Sequence, residues 1–457
     1  MVQLPQEFIA SLEGLPGFDK EAFETVHQSG EQITSIRVNP RKKSEIRNLK
    51  SEITPVPWTQ YGYYLSQRPS FTFDPLFHAG CYYVQEASSM FLEQALKQTV
   101  DLTKPIKALD MCAAPGGKST HIQSLISPDS LLVSNEVIKA RAGVLKQNII
   151  KWGASNVIVT NNDPQHFNRL EGFFDVMVVD APCSGSGLFR RDEEAIEEWS
   201  PDNVQLCCGR QRRILADALP ALKQDGVLIY STCSYSTEED EEIMDWLVTE
   251  QGMENIALQV PAEWKIVTTT SKAGAEGYRF YPDKVKGEGF FLSCFRKKEG
   301  GERRYKMAKP DIATAKEKAL LETYINLNQL EVLKQGDMLF ALPKILIEAF
   351  LVIQANLYLQ YAGTTLGEIM KNKLVPDHAL AVSGMLLANI TRFELSLEEA
   401  IRYLQRADLS IDPPVKGWQV VTYQNQVLGW INALPNRINN YYPKEMRILK
   451  QYYDSGN

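Results

Sequence analysis

Long apolar runs are scarce in this 457-residue chain. The most apolar late stretch, ILIEAFLVI at 345–353, is flanked by Lys344 and broken by Glu348, and it falls far short of the ~20 residues a membrane span needs. It reads as a core helix. The N-terminal MVQLPQEFIASLEG has no basic region followed by an apolar one, so no signal peptide is expected. Cysteine is sparse, with seven residues at 81, 112, 183, 207, 208, 233 and 294, none in C-x-x-C spacing. Scattered thiols of this kind argue against a disulfide framework or a zinc ribbon and fit a reducing, cytoplasmic setting. Most are expected to be buried small hydrophobes. The five histidines (27, 78, 121, 166 and 378) form no ligand spacing, and no metal is expected. Internal repeats and low-complexity runs are lacking too.

Nor is there an excess of positive charge. The formal net charge of −7 argues against a uniformly basic nucleic-acid coat. Basic residues are instead clustered, six Lys/Arg against one Glu at 35–50 and seven against Glu299 and Glu302 at 296–309. Each cluster reads either as a grip on phosphates or as a solvated face.

What the chain does have is alternation. IKALDMC (106–112), LLVSNE (131–136), NVIVTNND (156–163), FDVMVVD (174–180) and GVLIYST (226–232) are apolar runs separated by helical segments. Strands alternating with helices predict an α/β fold with a doubly wound parallel sheet. A further strand at 289–298 is expected to close that sheet, running antiparallel. Ser236 and Glu239 form the pattern of a capping box before IMDWLV. Upstream, TSIRVNP reads as a strand in a small α/β domain. Past Gly300-Gly301 the chain reads as helical to about 400, and 416–433 as a hairpin turning at Gln424-Asn425.

Ligands of doubly wound sheets bind at the carboxyl ends of the strands. The first strand delivers Asp110 and then the small-residue turn Cys112-Ala113-Ala114-Pro115-Gly116-Gly117-Lys118, which opens a helix whose N–H groups a ligand can approach. This turn is neither G-x-G-x-x-G nor a phosphate loop. Glu136 ends the second strand, where a ribose diol suits it, and Asp163 follows the third, where it could accept from an adenine amine. Together they describe a nucleoside pocket without a demand for phosphate, which S-adenosylmethionine fits. Asp110 or Asp163 alone reads equally as a turn or cap residue. The fourth and fifth strands end in Asp180-Ala-Pro-Cys183 and Ser231-Thr-Cys233. If these strands are neighbours, about 4.8 Å apart, a carboxylate and two thiols meet at one edge and thiolate chemistry is expected there.

ALDMCAAPGGKST (108–120), DAPCSGSG (180–187) and YSTCSYSTEEDE (230–241) resemble the signatures of the Sun-type RNA 5-methylcytosine methyltransferases. SIRVNP, YYVQEASSM and GEGFF extend the resemblance over roughly 1–298, and the remainder, ending in LGW…NRINNYYP, is similar to the type F branch acting on bacterial small-subunit ribosomal RNA. The resemblance implies an N-terminal α/β domain at 1–102, a Rossmann-like catalytic domain at 103–299, a helical connector at 300–390 and a PUA-like RNA-binding module at 391–457. It implies S-adenosylmethionine as cofactor, held by Asp110, Cys112, the 113–118 turn, Glu136, Arg141, Asp163 and Asp180. It further implies Cys233 as the nucleophile toward cytosine carbon 6, Asp180 as the group binding the ring, Cys183 as an aid in resolving the covalent product, and Lys118 in support. The partner would be ribosomal RNA or the small subunit, and the protein a monomer. Asp283 stands where the family commonly has His. Thiolate formation needs positive charge, for which Lys118, Arg190 and Arg191 are nearest in sequence, while the acidic run 192–198 is expected to face solvent. Trp418, Tyr423, Trp430, Tyr441 and Tyr442 read as core or as base-stacking surfaces, with Tyr441-Tyr442 the better stacking candidate. A DNA cytosine methyltransferase acting through Cys183, and a non-enzymatic RNA-binding assembly factor, are the competing readings. A nucleotide-dependent oxidoreductase is disfavoured by the missing glycine fingerprint.

Overall fold

A computed structural model of the chain describes residues 4–42, 52–301 and 303–452. Near the N-terminus, strands β1 (Thr34–Val38), β2 (Ile53–Pro55), β3 (Gly62–Leu65) and β4 (Tyr82–Val84) form an antiparallel sheet in the order β2-β3-β1-β4. Arg37 of the basic 35–50 cluster does not reach solvent. Its Nε donates to Gln85 Oε1 at 2.8 Å and its Nη2 to Thr120 Oγ1 at 2.6 Å, tying this sheet to the helix Gly117–Leu125. Lys42 Nζ likewise donates to the carbonyls of Ala79 and Lys151. Neither side chain is free to grip a phosphate, because each is engaged by acceptors within the protein. The rest of the cluster, from 43, lies outside the described residues.

The central sheet has five parallel strands, β5 (Lys107–Asp110), β6 (Leu131–Asn135), β7 (Val157–Thr160), β8 (Phe174–Asp180) and β9 (Leu222–Thr232). They fall where the five apolar runs predict them. Their order, β9-β8-β5-β6-β7, puts the switch of winding direction between β5 and β8, where crevices open at carboxyl ends. Beyond β9 the sheet continues with β10 (Met253–Ile256), β11 (Val267–Thr270), β12 (Glu276–Phe280) and β13 (Phe290–Lys297). Here the sequence expectation needs correction. β13 does run antiparallel to β9, but it does not close the sheet, because β12 and then β11 follow it outward and β10 also pairs with it. The reason is burial: Phe290 to Phe295 are enclosed throughout, so this strand requires neighbours on both sides.

A second correction concerns 300–390, expected to be helical. Among the described residues it holds three short helices, Ala315–Leu321, Ile347–Asn356 and His378–Val382, around strands β14 (Leu330–Gln335), β15 (Met338–Pro343), β16 (Leu359–Ala362), β17 (Thr364–Met370) and β18 (Lys373–Pro376). β14, β15, β17 and β18 form an antiparallel sheet, while β16 pairs antiparallel with β7 and becomes an edge of the central sheet. Short apolar runs do not separate helix from strand by periodicity. The Gly336-Asp337 turn, with Gly336 at φ 62°, folds β14 onto β15 as a hairpin. The run ILIEAFLVI does supply the helix Ile347–Asn356.

The last sheet contains β19 (Arg392–Glu394), β20 (Gly417–Tyr423), β21 (Gln426–Leu434) and β22 (Arg437–Asn440). Gln424 and Asn425 turn the expected hairpin with φ of 49° and 62°, the signature of a two-residue primed turn. Trp430 and Tyr442 are core residues, and the Tyr442 hydroxyl lies 3.4 Å from His78 Nδ1 of the N-terminal unit. Tyr441 is exposed and packs edge-on against Trp418 at 4.4 Å. The pair Tyr441-Tyr442 is therefore split between surface and core. No helix among the described residues is long and apolar enough to cross a membrane.

The capping box at Ser236 is not formed. The helix runs Glu241–Thr249, its N-cap Asp240 makes no side-chain cap bond, and Glu239 turns inward. Asp240 and Glu241 instead hold Arg279 of β12: Nε donates to Glu241 Oε1 at 2.8 Å, Nη1 to Tyr235 O at 2.9 Å, and Nη1 pairs with Asp240 at 3.1 Å. Arg279 is fully enclosed. Arg279→Met leaves two buried carboxylates uncompensated, and is expected to lower stability by about 3–5 kcal/mol, read as a fall in the urea midpoint by circular dichroism.

Candidate active site

β8 and β9 are neighbours with Asp180 opposite Ser231, so the turns that follow them leave the same edge. Cys183 Sγ and Cys233 Sγ come within 2.8 Å, and the Cys233 N–H points at Cys183 Sγ at 3.3 Å. Both residues are half-buried. Gly187 donates its N–H to Cys233 O at 2.8 Å and accepts at its own carbonyl from Gly289 N–H at 3.1 Å. A Cβ on Gly187 would sit 2.5 Å from Gly289 O and 2.8 Å from Cys233 O, which explains Gly187 by close backbone approach, while Gly185 serves through its φ of 77°. The Cys183 thiol is held well above its ordinary pKa, first by its contact with Cys233 and then by burial, with the Glu239 charge acting in the same direction.

Asp180 carries two partners: Lys118 Nζ at 2.7 Å from Oδ2 and the Ser231 hydroxyl, which donates to Oδ1 at 2.8 Å. Lys118, delivered by the turn after β5, thus joins the turn after β8. Its charge faces Asp180 rather than a sulfur. Arg190 is likewise engaged, donating to Gly287 O at 3.1 Å and to Glu31 O at 2.6 Å, with Glu288 3.7 Å away. Arg191 is exposed, as are the acidic residues Asp192, Glu193, Glu194, Glu197 and Glu198.

On the other side of Lys118 stand the residues expected to hold a nucleoside. Asp110 is completely buried, accepts from Ser119 Oγ at 2.6 Å on Oδ2, and has no partner on Oδ1. Burial lifts its carboxyl to about 7, against the Ser119 hydrogen bond and with help from the Asp180 and Glu136 charges. An enclosed acceptor without a donor marks a place for a ligand group, here a cationic or donating one. Ala113 N–H donates to Asn135 O at 2.8 Å, and Gly116 sits at φ 115° to start the helix. Cys112 is half-buried, with its thiol raised by burial and by the neighbouring carboxylates. Glu136 is buried and accepts from Ile138 N–H at 2.9 Å through Oε1, leaving Oε2 with only Arg141 at 3.8 Å. Arg141 also donates to Ala114 O at 2.9 Å, closing the 113–118 turn over that carboxylate. Asp163 takes its cap role: Oδ1 accepts from Gln165 N–H at 3.1 Å and Oδ2 faces Arg213 at 3.4 Å. These residues fit an adenosyl cofactor bearing positive charge.

Three residues at this edge were missed in the sequence. Asn161 donates through Nδ2 to Glu136 O at 2.6 Å, and Asn162 pairs both ways with the Tyr358 backbone, so the NND stretch supports the end of β6 and receives the connector. Glu239 accepts hydrogen bonds from both cysteine loops. Its position in STEEDE carries no signal beyond the cap pattern. Among the described residues no group of three His, Cys, Asp or Glu could hold a metal ion.

Comparison with known proteins identifies a family. The family described as 16S rRNA methyltransferase RsmB/F matches residues 97–296, the N-terminal domain of 16S rRNA methyltransferase RsmF matches 4–87, and the methyltransferase RsmF PUA domain matches 391–448. Ribosomal RNA small subunit methyltransferase F of Aliivibrio salmonicida (strain LFI1238) is 32% identical over 437 residues, covering 90% of each chain. Its namesake from Escherichia coli O127:H6 is 30% identical over 441 residues, again with 90% of each covered. Among solved structures, a methyltransferase homolog protein from Pyrococcus horikoshii is 28% identical with a TM-score of 0.51, covering 64% of this chain and all of that one. NSun6 from the same organism, crystallised with SFG, shares the fold at 20% identity and a TM-score of 0.54, covering 65% of this chain and 98% of that one. The polar edge built from Asp110, Lys118, Asp180 and the two thiols is thus carried by a chain that belongs to the RsmF branch of the S-adenosylmethionine-dependent 16S rRNA methyltransferases of the RsmB/F family.

Proposed function

We propose that the protein methylates carbon 5 of a cytosine in small-subunit ribosomal RNA through a transient bond between Cys233 and the base. The observation that carries this reading is the 2.8 Å approach of Cys233 to Cys183 beside the Lys118–Asp180 pair. When bound, S-adenosylmethionine supplies an electrophilic methyl group on a sulfonium centre. Asp110, the 113–118 turn, Glu136 and Arg141 would hold it, with Asp163 bordering the pocket.

The chain's own residues do the rest. Cys183 keeps its proton because its pKa is raised, so its S–H can support an anion on Cys233 Sγ. That thiolate adds to carbon 6 of the cytosine, and the ring electrons move to carbon 5, which becomes nucleophilic. Asp180, with Lys118 beside it at 2.7 Å, would bind the cytosine at ring N3 and the exocyclic amine, where charge develops. After methylation a water molecule takes the carbon 5 proton, the electrons of that bond form the carbon 5–carbon 6 double bond, and the carbon 6–sulfur bond breaks to release Cys233 as a thiolate, which the Cys183 S–H is placed to receive. The target base must be unpaired or flipped, at about a few kcal/mol. Tyr441, exposed on Trp418, is the aromatic of the tail best placed for RNA. Cys207, Cys208, Cys81 and Cys294 are buried and take no part.

Mapping 5-methylcytosine in small-subunit rRNA from cells with and without the gene, by bisulfite sequencing, tests the substrate; an unchanged profile would sink it. Cys233→Ser is expected to abolish adduct formation and to lower turnover at least about 1,000-fold, while Cys183→Ser still bonds to RNA and stalls as a covalent complex on denaturing gels. Adduct loss in Cys183→Ser alone would assign the nucleophile to Cys183 instead. Cofactor affinity should also depend on pH. The folded protein keeps a proton on Asp110 up to about 7, whereas the unfolded chain releases it near the ordinary 3.8, so Asp110 lowers apoprotein stability as pH rises across that window. A cationic ligand needs the ionised form, so S-adenosylmethionine affinity rises from about pH 6 to about pH 8 by calorimetry, and Asp110→Asn binds more weakly and without that slope.

A further inference from the structure

Glu239 is wholly buried between the two cysteine loops. Its Oε1 accepts from Ser184 N–H at 2.8 Å and from Gln211 Nε2 at 3.0 Å. Its Oε2 accepts from Ser184 Oγ at 2.5 Å and from Ser234 Oγ at 2.6 Å. Four donors fill the four acceptor sites of one carboxylate. Ser184 follows Cys183 and Ser234 follows Cys233, so a single side chain grips the backbone next to both thiols. Gln211 extends the grip, since its Nε2 also donates to Pro182 O at 3.1 Å, on the other side of Cys183. From below, the Tyr230 hydroxyl donates to Glu239 O at 2.6 Å.

Activation of a thiol does not explain this carboxylate. A negative charge enclosed beside the sulfurs opposes their ionisation, and it acts on Cys183 in that sense. Its bonds explain it. Loss of the carboxylate releases both loops that carry a sulfur, and reacting atoms tolerate little displacement.

We infer that Glu239 is a positioning residue, which sets the separation of Cys183 and Cys233 by tying Ser184 to Ser234. The inference rests on the reading that Cys233 bonds to a pyrimidine. The full-length protein is compared with Glu239→Gln and Ser184→Ala, using methyl transfer to small-subunit rRNA and covalent capture by an RNA containing 5-fluorocytidine. Glu239→Gln is expected to lower both kcat and the rate of capture about 10- to 100-fold, and Ser184→Ala by less. KM for RNA and Kd for S-adenosylmethionine should stay within about twofold. The pH profile of Cys183 alkylation by iodoacetamide should move to lower pH in Glu239→Gln, because the neighbouring negative charge is gone. Capture at the wild-type rate in both variants overturns the inference. So does a loss of cofactor binding in Glu239→Gln that parallels the loss of activity, since that marks a general fold determinant. A wild-type protein that captures no RNA overturns the cysteine mechanism itself, a result seen before any variant is compared.

Discussion

The parallel pairing of β8 with β9 is the constraint on which the site depends. Their partners run from Val176 opposite Val227 to Asp180 opposite Ser231, and the intervening residues are buried on both faces. Because side chains alternate along a strand, a slip of one residue would turn Asp180 away from Ser231 and carry the two cysteine loops out of step. Apolar packing deep in the sheet therefore determines the approach of two sulfurs at its rim. The antiparallel β13 secures the other side of β9 and brings Gly289 against Gly187.

Around that rim charges are held by partners, Arg279 and Glu239 fully enclosed and Asp180 partly exposed. Arg279 joins Asp240 and Glu241, Lys118 joins Asp180, and Glu239 is saturated by four donors. A buried charge is tolerated when it is paired and hydrogen-bonded, and each such pair here anchors a loop that leaves the sheet. Asp110 differs in having an oxygen with no partner. Paired charges hold the loops, and the unpaired oxygen is where the proposed cofactor would add a partner.

The C-terminal half is part of the catalytic body. β16 covers the open edge of β7, which would otherwise expose unpaired backbone groups. Through the Tyr358 backbone the connector also holds Asn162, whose neighbour Asn161 supports Glu136. Arg169 donates to Asn356 O at 3.1 Å across the same seam, and Tyr442 reaches His78. Contacts of this kind join the C-terminal half both to the N-terminal unit and to the loops that follow β6 and β7.

The five parallel strands, the small-residue turn opening a helix at Gly117 and the hairpin at Gln424-Asn425 were legible from residue order, because each is fixed by local periodicity or turn chemistry. So was the meeting of Asp180, Cys183 and Cys233, once the two strands were taken as neighbours. The β-rich connector was not, since β14 to β18 are too short for their pattern to exclude helix. Residue type alone also misjudged Arg37, Lys42 and Tyr442, because composition reports a charge or an aromatic ring but not the acceptor or seam that will bury it. Glu239 shows the division most clearly. Its sequence spacing matches a helix cap, yet its four donors come from residues 184, 211 and 234, and only the packed fold brings those into reach. Local chemistry determined which elements form; long-range contact decided what their polar side chains are for.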